Sequence, residues 1–127
     1  MQAVETVTDS LNQQSPMLEA YIQAALWSST GDDGEPLDRQ YDCDDLSQEC
    51  LVQFTEDCLN FQRDNEDDIG MELEQAGHDF WLTRNGHGAG FWDGDWEKEA
   101  GQRLTTASKA YGSCYLYVGD DGKIHCQ

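Results

Sequence analysis

Three sets of side chains in this sequence are of types that could do chemistry. The first lies between His78 and Asp93, where His78, Asp79, Arg84, Asn85, His87 and Asp93 bring imidazoles, carboxylates and a guanidinium close together in the chain. Imidazole beside carboxylate is the raw material of general acid–base catalysis, so a small hydrolytic centre is one reading. No nucleophile stands beside a base at a recognised spacing, however, and no phosphate-cradling glycine loop precedes a helix. The second set, His78, His87, His125, Cys114 and Cys126, is of metal-binding type. Structural zinc sites pair ligands two to four residues apart, and that pairing is missing. His125 and Cys126 are adjacent, so in a strand they would face opposite ways. The runs Asp93, Asp95, Glu97 and Asp120, Asp121 lack the twelve-residue calcium-loop pattern. The expectation is therefore no metal, no cofactor and no catalytic residue.

The third set is the acidic stretch from Asp42 to Glu74, and it is the strongest. The chain holds 26 acidic and 7 basic residues, for a net charge of −19. Residues 1–40 contribute 7 acids and 1 base, residues 41–75 contribute 12 and 1, and residues 76–127 contribute 7 and 5. Surplus charge destabilises a compact chain by self-repulsion, so charge focused on one segment asks for a use. A solvated helix usually mixes signs at i, i+4, each opposite pair adding a few tenths of a kcal/mol. Here Asp45 and Glu49 are like-charged neighbours. Nucleic acid and anionic membranes carry the same sign and are excluded as partners, which leaves basic protein surfaces.

Stepping from these side chains to the elements that must hold them, a helix over about 46–63 is predicted. Asp45 with Gln48 forms a capping-box pattern at its start. At about 100° per residue, Cys43, Leu46, Cys50, Phe54, Cys58 and Phe61 share one face, and Asp42, Asp45, Glu49 and Glu56 share the other. Before it, Ser15-Pro16 opens a first helix ending near Ser29. A turn-rich loop over 29–36 follows, with Leu37 and Tyr41 as anchors. After Arg63, Ile69, Leu73 and Ala76 suggest a further short helix, closed by Gly77 as a C-cap. The pattern then alternates, with Phe80, Leu82 and Arg84 on one side and Asp79, Trp81 and Thr83 on the other. Asn85-Gly86 is a strong hairpin signal, so strands are predicted at about 79–84 and 87–92. Trp92 to Trp96 reads as a turn, 98–111 as a helix ended by Gly112, and 115–118 with 123–126 as a second hairpin. Phe80 and Phe91 are assigned to the core; Trp81 and Trp92 are open between core and recognition surface.

The fold class this implies is α+β: a small antiparallel sheet of two hairpins and three or four strands, packed with three or four helices. Residues 1–14 read as a flexible arm and 15–127 as one domain, of a length that supports a modest core. Five cysteines without a CxxC, three of them on the apolar helix face, are read as reduced thiols. No stretch reads as a signal or a membrane span, so a soluble protein is expected.

The run Ala76-Gly77-His78-Asp79-Phe80-Trp81-Leu82-Thr83-Arg84-Asn85-Gly86-His87-Gly88-Ala89-Gly90-Phe91-Trp92-Asp93 resembles the core of a family of small proteins from tailed phages and prophages. The resemblance extends back through Asp57-Cys58 and Phe61 and forward to the run from Tyr117 to Lys123, covering roughly the last two-thirds of the chain. It departs from the family pattern at Gly94-Asp95-Trp96, where a basic residue would fit better. The resemblance implies a phage setting and a place in the host cytoplasm, but no mechanism.

The reading that joins charge to setting is a phage-encoded inhibitor that mimics duplex DNA. It would occupy the basic groove of a host DNA-binding enzyme such as DNA gyrase or a restriction or CRISPR effector, targets ranked by analogy alone. Duplex DNA carries one charge per ~1.7 Å, so a charge of −19 corresponds to ~32 Å, or about ten base pairs. The contact residues would be Asp42, Asp44, Asp45, Glu49, Glu56, Asp57, Asp64, Glu66, Asp67 and Asp68. Two other readings stand beside it: an interaction module using the aromatic hairpin, and a hydrolase at the His78–Asp93 hairpin. Association as a homodimer is left open.

Overall fold

A computed structural model of the chain describes residues 15–31, 34–86, 90–91 and 96–127. The expected arm over 1–14, the side chains of His87, Trp92, Asp93 and Asp95, and most of the predicted strand at 87–92 lie outside the described residues.

Helix α1 is Pro16–Ser28. It starts where Ser15 and Pro16 dictate: the Ser15 hydroxyl accepts from the Leu18 amide at 3.2 Å, and proline takes the first position, where no amide hydrogen is needed. Seven of its side chains are buried, Met17, Leu18, Tyr21, Ile22, Ala24, Ala25 and Leu26, so α1 is a central element. The following loop is closed by a bridge between Thr30 and Pro36, and Leu37 is buried at the start of a 3-10 turn, Leu37–Arg39. A second 3-10 turn, Cys43–Asp45, leads into helix α2, Gln48–Asp64.

The start of α2 differs from the capping box read across Asp45 and Gln48. Ser47 is the cap, accepting from the Cys50 amide at 3.1 Å. Asp45 pairs instead with Asp42, each carboxylate accepting a backbone amide of the preceding 3-10 turn. The apolar face is as the spacing predicts, with Leu46, Cys50, Phe54, Cys58 and Phe61 buried. Cys43 is the exception. It precedes the helix and is exposed, so the helical period does not apply to it.

Helix α3, Glu66–Ile69, is a single turn stopped by Gly70, whose φ of 58° is open to glycine at little cost. Helix α4, Leu73–Arg84, replaces the first predicted hairpin arm. Residues 79–84 are all buried, so neither a two-residue nor a helical polarity pattern can be read along them. Asn85-Gly86 ends this helix instead of turning a hairpin. The Asn85 side-chain amide donates to the Trp81 carbonyl at 2.9 Å, and Gly86 takes φ 73°, the left-handed stop of a helix end. Gly77 is no C-cap either. It sits inside α4, where a Cβ would overlap the Met17 carbonyl, and this lets α4 lie close against α1 in the most extensive helix pairing of the molecule.

Helix α5 is Lys98–Lys109, with Gly112 following at φ 76°. The last hairpin forms as expected: β1, Leu116–Val118, runs antiparallel to β2, Ile124–Cys126, with Leu116 opposite Cys126 and Val118 opposite Ile124. The sheet therefore has two strands among the described residues, fewer than the three or four predicted. The architecture is helix-rich and mixed, with an aromatic centre. Phe61 stacks on Phe80 at 4.1 Å between ring centres, and Tyr21 meets Phe54 and Trp81 edge-on at 5.0 and 5.4 Å. Phe80 and Phe91 are core, as assigned. Trp81 is buried too, its indole N–H donating to the Ser28 hydroxyl at 2.8 Å, so it offers no recognition surface.

Candidate functional site

Helix α2 is the backbone of the acidic face. Its 17 residues span on the order of 25 Å at ~1.5 Å per residue. Asp42, Asp44 and Asp45 cluster before its N-terminus, Glu49 and Glu56 lie exposed along it, and Asp64, Glu66 and Asp67 are exposed around its C-terminus. Among the described residues no ion pair engages Asp42, Asp44, Asp45, Glu49, Glu56, Glu66 or Asp67. Three acids before the N-terminus and one in the first turn favour the helix dipole, while those at the C-terminal end oppose it.

Three residues of the predicted contact set are otherwise placed. Asp64 lies 3.2 Å from the exposed Arg63 guanidinium. Asp68 accepts from Arg103 through both oxygens, at 2.8 and 2.7 Å, and this fork holds its carboxyl below the usual range. Asp57 is a correction: it is buried on the inner face of α2, where Arg84 donates to it at 2.9 Å. Its position, one residue from Cys58 and Glu56, falls at the boundary of the two faces, and pairing with Arg84 takes it inward.

Arg84 is the centre of a buried polar knot. Besides Asp57, its guanidinium donates to the Tyr21 hydroxyl at 2.9 Å and to the carbonyls of Gly112 and Tyr111 at 2.7 and 3.1 Å. Desolvation raises the Tyr21 phenol well above its ordinary value, only partly countered by Arg84. A guanidinium presents five donors, and here four go to oxygen acceptors. Arg84, predicted as part of a polar catalytic set, is thus committed to structure.

His78 lies apart from that knot, on the α1 side of α4. Its Nδ1–H donates to Asp79 at 3.0 Å, and Asp79, 2% exposed, also accepts from Gln75 and the Trp96 indole. The other face of the ring packs against Trp27 at 6.2 Å, beside an open cleft of about 570 Å³ that Asp38 and Glu74 also line. The structure separates His78 from His125, whose ring stacks on Tyr117 and whose Nε2 lies 3.0 Å from Asp121. Among the described residues no three His, Cys, Asp or Glu side chains stand in metal-holding geometry. The helical period of α2 and the closing hairpin carry two further features that the sequence reading missed. The outer face of α2 exposes Val52 and Leu59 between its acids, and Cys50, Cys114 and Cys126 converge from distant positions.

Compared with family models, curated proteins and solved structures, the chain finds no match in any of the three.

Proposed function

We propose that this protein is a phage-encoded decoy of duplex DNA, which binds through the outer face and ends of α2 to the basic DNA-binding surface of a host enzyme. One observation carries the reading. The fold neutralises Asp57 and Asp68 with arginines, yet leaves Asp42, Asp44, Asp45, Glu49, Glu56, Glu66 and Asp67 without a cationic partner among the described residues. Those carboxylates extend over a length comparable to about seven base pairs at ~3.4 Å each. Val52 and Leu59 are 50% and 38% exposed between Glu49, Glu56 and Arg63, a mixture suited to a protein partner. Such a partner supplies apolar contact as well as positive charge. DNA gyrase and restriction or CRISPR effectors are target classes chosen by analogy, as enzymes that hold duplex DNA on a basic surface. The test is capture of a DNA-binding enzyme from host lysate, eluted along a salt gradient and by competing duplex DNA. A decoy is released by both, and reversal of Glu49, Glu56 and Asp67 to lysine abolishes capture. Retention near molar salt, or indifference to competing DNA, overturns the reading.

A second reading rests on His78. With Asp79 orienting Nδ1, Nε2 is available to take a proton from water beside the Trp27 cleft, the arrangement of a hydrolytic base. Hydrolysis of an ester or amide panel that is lost in His78→Ala, with the fold intact, would support it; a panel cleaved equally by the variant would sink it.

A further inference from the structure

Outside the acidic face, the structure gathers three thiols: Cys114 and Cys126 at the closing hairpin, and Cys50 from a distant helix. Cys50 lies in the first turn of α2, Cys114 follows α5, and Cys126 ends β2. The Ser47 amide donates to the Ile124 carbonyl at 2.8 Å, which lays β2 against the start of α2 and brings Cys126 to Cys50. Pairing of Leu116 with Cys126 places Cys114 on the same face two residues away, and the Cys114 amide donates to the Asn85 side chain at 2.8 Å. Cys126 is the middle member, since its strand lies against the start of α2 on one side and pairs with the Cys114 end of the hairpin on the other. All three line a pocket of about 460 Å³ with Arg84, Asp57 and His125; Cys50 is only 1% exposed there, whereas Cys114 and Cys126 are half-buried.

We propose that Cys126 and Cys114 form a two-thiol redox site that reduces a small disulfide, with Cys126 as the attacking sulfur and Cys114 as the resolving one. The Cys126 thiolate attacks one sulfur of the small disulfide, forming a mixed disulfide and releasing the first small thiolate. The Cys114 sulfur then attacks Cys126, forming the Cys114–Cys126 bond and expelling the second. Two electrons pass from the protein thiols to the substrate, and the two thiol protons leave with the released thiols.

The electrostatics agree with that division of labour. The Cys126 thiol is held below the ordinary thiol range, chiefly by the hydrogen bond from Cys114 and then by that from Cys50. Arg84 and His125 add to the effect and burial opposes it. Donating to Cys126 raises both neighbours, so the negative charge settles on the central sulfur. The remaining cysteines are built differently. Cys58 is buried, and exposed Cys43 is pushed up by desolvation and by Asp44 and Asp42, which makes it a poor nucleophile.

The test uses the reduced full chain at neutral pH with oxidised glutathione as the small disulfide. The native protein should lose two hydrogens in mass without retaining glutathione, and peptide mapping should show Cys114 joined to Cys126. Cys114→Ser should trap one glutathione on Cys126, and Cys126→Ser should react at least about tenfold more slowly. Alkylation rates of the five thiols in the native protein give a readout independent of any variant's folding, with Cys126 expected fastest. A Cys50–Cys126 bridge, first modification at Cys43, or a Cys126→Ser variant as fast as the native chain would each overturn the assignment.

Discussion

Two carboxylate–arginine pairs occupy opposite environments in this molecule, and the contrast separates a charge pair enclosed by the core from one held at the surface. Asp57 and Arg84 meet at 2.9 Å with their side chains 12% and 7% exposed, among Tyr21, Phe80 and Tyr111. Asp68 and Arg103 meet at 2.7 Å on the rim, with exposures of 17% and 58%. The geometry of the rim pair is as good, or better, yet water and salt screen it. In the interior, an ion that loses its partner stays desolvated, so one deletion is costly even though the intact pair itself adds little. All of these acids lie in one segment of the sequence and look alike there. Their environments differ because α2 turns Asp57 inward to Arg84 of α4, while Asp68 sits on α3 at the rim, facing Arg103 of α5.

The comparison can be broken most directly at the knot. Asp57→Ala should destabilise the protein by about 3–5 kcal/mol in denaturant unfolding, because Arg84 remains charged and buried. Replacing Arg84 with Met as well should not restore stability, since the Tyr21 hydroxyl and the Gly112 and Tyr111 carbonyls lose their donor. Recovery in that double variant would show that the pair, and not the wider network, holds the interior.

Gly77→Ala should cost about 1–3 kcal/mol, the overlap with the Met17 carbonyl outweighing the ~1 kcal/mol gain in helix propensity. An increase in Tm would mean that α1 and α4 can separate without loss. The triple change of Glu49, Glu56 and Asp67 to Lys should act the opposite way from the interior variants. Stability should hold or rise slightly as self-repulsion falls, while capture of the basic partner disappears; unfolding of this variant would move those acids from partner recognition to structure.

Asp68→Asn should have the smallest effect, a loss that fades with added salt. Asp68 titrates below its unfolded value in the folded protein, so its contribution is present above about pH 4 and vanishes as pH falls through the lower folded value. The variant's acid-unfolding curve should therefore be flatter on that side; an unchanged curve would detach Asp68 from acid stability.

Legibility followed how local the cause was. Ser15-Pro16, the apolar face of α2, α5 with Gly112, and the closing hairpin all appear near their predicted places, because caps, turns and amphipathic periods act over a few residues. The segment 79–84 failed for a definite reason: α4 is enclosed on several sides, and a helix buried all round has no polarity period to read. Asn85-Gly86 supplies a left-handed residue, and helix ends and hairpins both use one. The acidic surface was legible as composition, with Asp57 the residue that pairing with Arg84 drew inward.

By itself, the sequence determined the surplus of negative charge, its concentration between residues 42 and 74, and the helical period that turns most of it outward. Those follow from side-chain type and local geometry alone. Only the tertiary structure decided that Arg84 would spend its charge on Asp57, that His78 and His125 would sit apart, and that Cys126 would settle between Cys50 and Cys114. Each of these depends on contacts between residues far apart in the chain, and such contacts exist only once α2, α4 and the hairpin have packed.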